Sequence, residues 1–437
     1  MKHLQSRIHS LKARQVFDSR GYPTVEVEMG LESGVSSRAI VPSGASTGKF
    51  EALELRDGDP DSFSGRGVSQ AIENVNHRIA PELIAFDALD QAALDQRLVE
   101  LDGTGNKSSL GANAILGVSL AAARAGAAFT GLPLYTYLGG VNARRLPLPM
   151  VNILSGGLHA GGQIEFQDFL MIPVSANSYS QALEMTFAVY NATRRVIREK
   201  GYELTGVADE GGFGPTFQSN REALEILLEA IVKAGYVPGQ EVSIGLDVAS
   251  SHFYVNGRYE LAAEGRALTS LQMAEMLDEW VSRYPLISIE DGMAEDDWEG
   301  WVALSKKLRG KVQLIGDDLF TTSAARLRQG IDRGIANSVL VKVNQIGTLT
   351  ETLETVGMAR RHGYLPVISA RSGESEDSFI ADLAVATGAG QIKIGSITRS
   401  SRLAKYNQLL RIEEELGAAG VYDGAEVFGG LSRVGSL

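Results

Sequence analysis

ISIED (287–291), LIGDD (314–318) and VLVKVNQ (339–345) are the three segments that decide the fold of this chain. Each is a short run of β-branched or leucine residues that breaks off at a charged side chain, which is typical of a buried strand. Helix-length sequence separates the segments, and SIGLD (243–247) upstream has the same form. Strands that alternate with helices indicate successive βα units, so the sequence predicts an α/β fold built on a β/α barrel.

The charged residues at these strand ends predict a metal site. Asp247, Glu290 and Asp317 end three strands, and Lys342 ends a fourth. Because the ends of barrel strands form one rim, we expect the four side chains to meet in one pocket. Carboxylates that lie together raise one another's pKa values unless a cation neutralises them. Oxygen ligands without cysteine suit a hard ion, Mg²⁺ before Zn²⁺. The alternative for each acid alone is a helix cap or a turn.

Lys342 directly follows an aliphatic run, where a lysine is not needed for solubility. A half-buried lysine beside a divalent cation has its charged form disfavoured, so we expect its pKa to be lowered toward that of a general base. The alternative is a lysine that only pairs with a strand-end carboxylate.

Two further predicted strands end in cations, PVISARSGE (366–374) and QIKIG (391–395). Arg371 offers a fork of donors backed by Ser372, an arrangement that suits a phosphate or carboxylate, and Lys393 can add charge to the same anion. Either cation could instead close a structural salt bridge.

A glycine-rich turn, VADEGG (207–212), carries an acid pair. One acid buried near other carboxylates would be held protonated and could donate a proton, whereas a plain acidic turn is the alternative. His159 lies in SGGLHAGG (155–162) and is the one histidine of six in a glycine-rich context, although a lone histidine is more often structural.

Composition excludes several classes of protein. The 437 residues carry a net charge of −12, which argues against nucleic acid or an anionic membrane as the main partner. The chain has no cysteine, so it has neither disulfides nor a thiol nucleophile. The polar N-terminus predicts no signal peptide, and the apolar window 113–132 contains Arg124, so we expect a packed helix and a cytoplasmic protein.

The proline-punctuated segment LPLPM (146–150) is the best domain boundary. We therefore expect an N-terminal α+β domain over residues 1–140 and a barrel over residues 146–437. In the first domain, the loop PSGASTGK (42–49) lacks the spacing of a phosphate-binding loop, because no glycine lies five positions before Gly48, and Phe50 also replaces the required Ser or Thr. A mobile, glycine-hinged lid and a plain surface loop both remain open.

Long motifs spread over nearly the whole chain resemble the enolase (phosphopyruvate hydratase) family. They include DSRGYPTVEVE (18–28), SGASTG (43–48), GANAILGVSLA (111–121), KVNQIGTLTET (342–352) and RLAKYNQLLRIEEEL (402–416). The resemblance implies an N-terminal α+β domain, a modified β/α (TIM-like) barrel, and a homodimer or larger homo-oligomer. It also implies an Mg²⁺-dependent lyase that reversibly dehydrates 2-phosphoglycerate, a small phosphorylated acid, to phosphoenolpyruvate.

The resemblance also assigns roles to single positions. Asp247, Glu290 and Asp317 match the acids that hold one Mg²⁺, and Ser46 matches a ligand of a second Mg²⁺ that joins when substrate is bound. Lys342 matches the base that removes the proton from carbon 2, and Glu210 the acid that assists loss of the carbon-3 hydroxyl. The substrate-binding positions are matched by His159, Asp168, Arg371, Ser372 and Lys393.

The departures from the family pattern cluster around the expected site. Ala370 stands where the family has a histidine, Asp168 where it has a glutamate, and Phe50 where the lid has a basic residue. Tyr22, Ala208 and Ile394 also differ. These changes leave three interpretations: a divergent enolase, a paralogue acting on a related acid such as a phosphonate analogue, and a non-catalytic scaffold that kept the fold.

Overall fold

The computed structural model describes residues 5–45 and 47–432. The N-terminal part begins with a three-stranded antiparallel sheet of β1 (Ile8–Phe17), β2 (Pro23–Leu31) and β3 (Ser36–Ile40). A turn joins the first two strands, and in it Asp18 Oδ1 accepts the amides of Arg20 and Tyr22 at 2.8 and 3.0 Å. Such Asx bonding is what an aspartate at the start of a turn provides.

Helices pack on one face of this sheet. They are Ser69–Glu73, a π-helical turn Asn74–Ile79, Ala80–Leu83, Gln91–Asp102, Ala112–Thr130 and Leu134–Gly139. The helix Ala112–Thr130 is the one described helix long and apolar enough to cross a membrane, but 83% of its apolar window is buried. Gly117 lets it approach the sheet closely, because a Cβ there would lie 2.5 Å from Cγ2 of Val27. It therefore packs as a core helix.

Eight strands of the C-terminal part close into a barrel. In chain order they are β5 (Leu148–Ser155), β6 (Asp168–Ile172), β7 (Ser243–Asp247), β11 (Leu286–Glu290), β12 (Gln313–Gly316), β13 (Ser338–Val341), β14 (Leu365–Ser369) and β15 (Gln391–Gly395). The predicted α/β barrel is confirmed. The short strands outside it are β4 (Arg145–Leu146), β8 (Tyr254–Val255), β9 (Arg258–Leu261), β10 (Arg266–Leu268) and β16 (Val421–Tyr422).

One barrel strand runs against the others. β6 pairs antiparallel with both β5 and β7, whereas the remaining barrel pairs are parallel. The barrel thus starts with an antiparallel pair of strands, β5 and β6, instead of a βα unit. As a consequence, the first residue of β6 lies at the rim where the other strands end: Asp168 pairs with Ser155 on one side and Asp247 on the other.

Helices surround the barrel. They are Tyr179–Glu199, Asn220–Lys233, Ser270–Arg283, Trp298–Leu308, Ala324–Arg333, Val343–Ile346, Leu349–Arg361, Phe379–Thr387 and Ser400–Leu416. Side-chain caps fix several of their starts, as at Ser178, Ser219 and Thr269, whose oxygens accept backbone amides of the first turn. Short 3₁₀ turns complete the chain at Phe63–Gly65, Gly140–Asn142, Gly157–Ala160, Ser250–Phe253, Ala262–Glu264, Gly417–Ala419 and Gly424–Phe428.

Candidate active site

The two-residue period of the strands aims the candidate side chains into the barrel. Leu340 and Ile315 belong to the apolar cluster inside the barrel, while Val339 and Val341 pack outside it. Since side chains alternate along a strand, Lys342 and Asp317 continue the inner rows of Leu340 and Ile315. The charged residues thus form a layer at the carboxyl ends of the strands, next to the apolar residues that fill the barrel interior.

Lys393 neutralises two of the predicted metal acids. Its Nζ donates to Asp247 Oδ2 at 2.7 Å and to both carboxylate oxygens of Glu290 at 2.8 Å. Burial would lower the pKa of Lys393, but the charges of Asp247 and Glu290 raise it well above its ordinary value. Burial and the nearby carboxylates of Asp247 and Asp317 raise the pKa of Glu290 well above its usual range. The three predicted acids therefore lie close enough to repel one another.

Lys342 pairs with the third acid. Its Nζ donates to Asp317 Oδ2 at 2.5 Å, while Gln345 Nε2 donates to Asp317 Oδ1 at 2.8 Å. The lowered pKa expected for Lys342 concerns a lysine beside a divalent cation, so it stays a prediction. Burial acts in that direction, but the carboxylates of Asp317 and Glu290 together raise the pKa of Lys342. The same pair lowers the pKa of Asp317 against the effect of burial.

His159, Asp168 and Glu210 form a second buried group. His159 Nδ1 lies 3.2 Å from Asp168 Oδ1 and 3.1 Å from Asp168 Oδ2. On the other side of the ring, His159 Nε2 lies 3.9 Å from Glu210 Oε1. The expectation that an acid of the 209–210 pair is held protonated is wrong for Glu210. Burial raises its pKa, but the positive charges of His159, Arg402, Lys393 and Lys342 together lower it.

Arg371 is engaged by the lid loop. Its Nη1 and Nη2 donate to the two carboxylate oxygens of Glu51 at 2.9 and 3.2 Å, and Nη1 also donates to Asn344 Oδ1 at 2.9 Å. Next to it, Ser372 Oγ accepts the amide of Ala45 at 2.6 Å. The loop thus lies against the barrel mouth, and its role as a mobile lid stays a prediction.

The lid is also held at its tip. Gly48 N donates to Glu51 Oε1 at 3.0 Å, and Lys49 N donates to Glu295 Oε2 at 3.1 Å. The guanidinium carbon of Arg326 lies 3.7 Å from the centroid of the Phe50 ring. Phe50, which differs from the basic residue of the family pattern, thus makes a cation–π contact. Ser46 lies outside the described residues, so its role as a ligand of a second Mg²⁺ stays a prediction.

These groups surround one small cavity, which we call the mouth cavity. His159, Glu210, Lys342, Arg371, Ser372 and Lys393 are among its lining residues. Ala370 also lines it, at the position of the family histidine. The structure therefore brings the predicted base, acid and substrate-binding cations to one small polar space. Asp168 is absent from the cavity wall and lies fully buried behind it.

The donor set fits a hard divalent cation. Three buried carboxylates point inward from neighbouring strands, and two of them share a lysine amine that a metal ion would replace as counter-charge. Among the described residues, Asp291, Asp317 and Asp318 also bring carboxylate oxygens within 4.8 Å of one another. Asp247, Glu290 and Asp317 do not, as a set of three, bring their oxygens that close together.

Sequence reasoning missed several residues that support the site. Glu51 pairs with Arg371, Gln167 Nε2 donates to Asp247 Oδ2 at 3.2 Å, and Arg402 Nη2 donates to the carbonyl of Ser372 at 2.6 Å. None of them ends a barrel strand in the sequence pattern. The contacts that reveal Gln167 and Arg402 are long-range. For Glu51, the glycine-rich loop that precedes it in the sequence could have indicated a residue near the site.

Comparison with known protein families agrees with this geometry. The model of the enolase N-terminal domain matches residues 8–138. The model of the enolase C-terminal TIM barrel domain matches residues 143–430. The two matches leave only short stretches of the chain uncovered, and the described barrel and mouth cavity fall within them. The chain belongs to the enolase family.

Proposed function

We propose that this enolase-family lyase reversibly dehydrates 2-phosphoglycerate to phosphoenolpyruvate and depends on Mg²⁺. The observation that carries the proposal is the placement of Lys342 and Glu210 on the wall of one cavity that also contains Lys393 and Arg371. A base, an acid and two cations are what an anionic substrate needs if it is to lose a proton from one carbon and a hydroxyl from the next.

The cations would hold the two anionic groups of the substrate. Arg371 and Ser372 would bind the phosphate, since a guanidinium fork matches its oxygens. Lys393 would bind the carboxylate. A proton on the adjacent carbon is only weakly acidic, because its removal adds negative charge to that carboxylate. Asp247, Glu290 and Asp317 would hold Mg²⁺, which when bound supplies further positive charge to offset this.

Lys342 would take the proton from carbon 2 of the substrate. The carboxylate of Asp317 raises its pKa. Asp317 would also help to hold the cation, and a Lys342 without this ion pair would have its neutral amine favoured by burial and by the charges of Arg371 and Lys393. The carbon–carbon double bond would then form as the carbon-3 hydroxyl leaves, and Glu210 in its protonated form, which its lowered pKa makes the minor one, would deliver the proton that makes the hydroxyl water.

A related acid is the second candidate substrate, and Ala370 is the observation that favours it. Ala370 lines the mouth cavity where the family histidine would reach in, so the surroundings of the substrate differ from those of the family pattern. A phosphonate analogue of 2-phosphoglycerate is one such acid. A non-catalytic scaffold is less well supported, since it has no need of buried lysines beside three acids.

Ultraviolet absorbance of the enol phosphate tests the proposal. We expect a rising signal when 2-phosphoglycerate and Mg²⁺ are added, and its loss with EDTA. No signal despite intact Mg²⁺ binding would favour the related acid, and Ala370→His would then be expected to restore some reaction with 2-phosphoglycerate. Loss of both signal and Mg²⁺ binding would favour the scaffold. We further propose a cytoplasmic homodimer or larger homo-oligomer, which sedimentation analysis would check.

A further inference from the structure

Asp168 occupies an unusual place in the barrel. It begins β6, the reversed strand, so its backbone lies at the rim next to Ser155 and Asp247. Its side chain points into the barrel but has no exposed surface and does not line the mouth cavity. In this arrangement the carboxylate reaches the cavity only through the groups that line it.

The contacts of Asp168 fix it firmly behind His159. Asn152 Nδ2 donates to Asp168 Oδ1 at 2.5 Å, and Ser155 Oγ donates to the same oxygen at 3.1 Å. Both Asp168 oxygens face His159 Nδ1, at 3.1 and 3.2 Å. Burial raises the pKa of Asp168, but the facing His159 ring favours its ionised form, which only accepts hydrogen bonds, so the geometry places a proton on Nδ1 of His159.

The other edge of the His159 ring faces the cavity. His159 Nε2 lies 3.9 Å from Glu210 Oε1, and both residues line the cavity wall. His159 is the one histidine among the described residues that line this cavity. Burial would lower its pKa, but the charges of Asp168 and Glu210 raise it to about 9, so the ring carries protons on both nitrogens.

We propose that Asp168 is a positioning residue that acts through His159. It holds the ring by Nδ1–H so that Nε2–H points into the mouth cavity and donates to a substrate oxygen next to Glu210. The identity of the substrate in this inference rests on the proposed function. The orientation of the His159 ring does not depend on it. A carboxylate that orients a histidine from its far nitrogen is a general way to fix tautomer and direction.

The first test reads the ring itself by ¹⁵N NMR of the full-length protein without substrate. The His159 signals are assigned as those missing from His159→Asn. In the native protein we expect both ring nitrogens to be protonated at pH 7.5. In Asp168→Asn we expect a neutral ring, whereas Asp168→Glu keeps the charge and retains the protonated ring. Asp382→Asn, a buried carboxylate in the helix Phe379–Thr387, is the control and leaves these signals in place.

The second test is a double-mutant cycle on the reaction with 2-phosphoglycerate. Asp168→Asn and His159→Asn should each lower kcat/KM, and the double variant should be no worse than His159→Asn alone. Unchanged ring signals in Asp168→Asn, or additive losses in the cycle, would overturn the inference. A protein inactive on 2-phosphoglycerate would count against the proposed function alone, because the NMR result stands without turnover.

Discussion

Lys342 Nζ lies 2.5 Å from Asp317 Oδ2, so the predicted base and a predicted metal ligand neutralise each other in this form of the protein. Both side chains are nearly buried, with 12% and 11% of their surfaces exposed. Breaking such a pair by removing one partner leaves an uncompensated charge. Under the proposed function a divalent cation would neutralise Asp317 in place of the lysine, and this exchange would link metal binding to the basicity of Lys342.

Lys342→Ala should therefore remove the proton-transfer step without removing the metal. We expect exchange of the carbon-2 proton of 2-phosphoglycerate with deuterated solvent to fall ~10²–10⁴-fold, the range of general-base catalysis. Proton NMR measures the exchange, and calorimetry measures Mg²⁺ binding, which should persist because Asp317 gains a free carboxylate. Exchange at the native rate in this variant would exclude Lys342 as the base.

Lys393→Met should make folding depend on metal. Lys393 is the counter-charge of Asp247 and Glu290, and its loss from a buried pair should cost ~3–5 kcal/mol in EDTA. Mg²⁺ should restore much of this stability because it neutralises the same acids. Urea unfolding with and without Mg²⁺ measures the effect.

Lys405→Met is the matched control for that variant. Lys405 is also buried and pairs with Glu374 at 2.7 Å, away from the predicted metal acids. Its loss should destabilise the protein equally with and without Mg²⁺. If Mg²⁺ restored both variants to the same degree, or neither, the assignment of Asp247 and Glu290 as metal acids would be wrong.

Gly48→Ala should prevent the 42–49 loop from packing against Thr321 and Asp318 at the barrel mouth. A Cβ on Gly48 would lie 2.9 Å from Thr321 Cγ2 and 3.0 Å from Asp318 Oδ1, too close without movement of the loop. Overpacking of this kind costs ~1–3 kcal/mol, so we expect KM to rise roughly tenfold. Gly105→Ala is the control, since a Cβ there meets open space. Equal KM values for the two variants would show that the lid does not need this contact.

Asp382→Asn should stabilise the protein at neutral pH. Burial raises the pKa of Asp382 from 3.8 to about 6. Below pH 3.8 the acid is protonated in both states, so it contributes no penalty. As the pH rises to about 6 the unfolded chain ionises first, and native stability falls by up to about 3 kcal/mol.

The amide variant lacks this penalty. Its advantage in free energy of unfolding should be small at pH 4, grow toward pH 6 and stay constant above it. Thermal or urea unfolding at a series of pH values measures the difference. A constant difference at every pH would mean that the charge of Asp382 is not what costs stability.

The sequence predicted much of this fold because its barrel strands follow a local pattern. The runs before Asp247, Glu290, Asp317 and Lys342 are buried strands that end in charges, and the barrel brings their ends together. The reversed strand β6 was not visible in the same way. Its direction depends on pairing with β5 and β7, and a short apolar run reads alike in either direction.

The charge states of the site were the least predictable part. Both the lowered pKa expected for Lys342 and the protonated acid expected at Glu210 assumed that burial and like charges dominate. The structure instead pairs Lys342 with Asp317 and places His159 beside Glu210. Such partners lie more than 20 residues away in sequence and are fixed by the barrel, so no local motif reveals them.

Diffraction from crystals soaked with Mn²⁺ and 2-phosphoglycerate tests the central claim most directly. The anomalous signal of Mn²⁺ locates the cation without reference to activity. We expect a peak among the carboxylates of Asp247, Glu290 and Asp317, at about 2.2 Å from their oxygens, with the Lys342 amine facing carbon 2 of the substrate. A peak confined to Asp291 and Asp318, or no peak at this rim, would contradict the account.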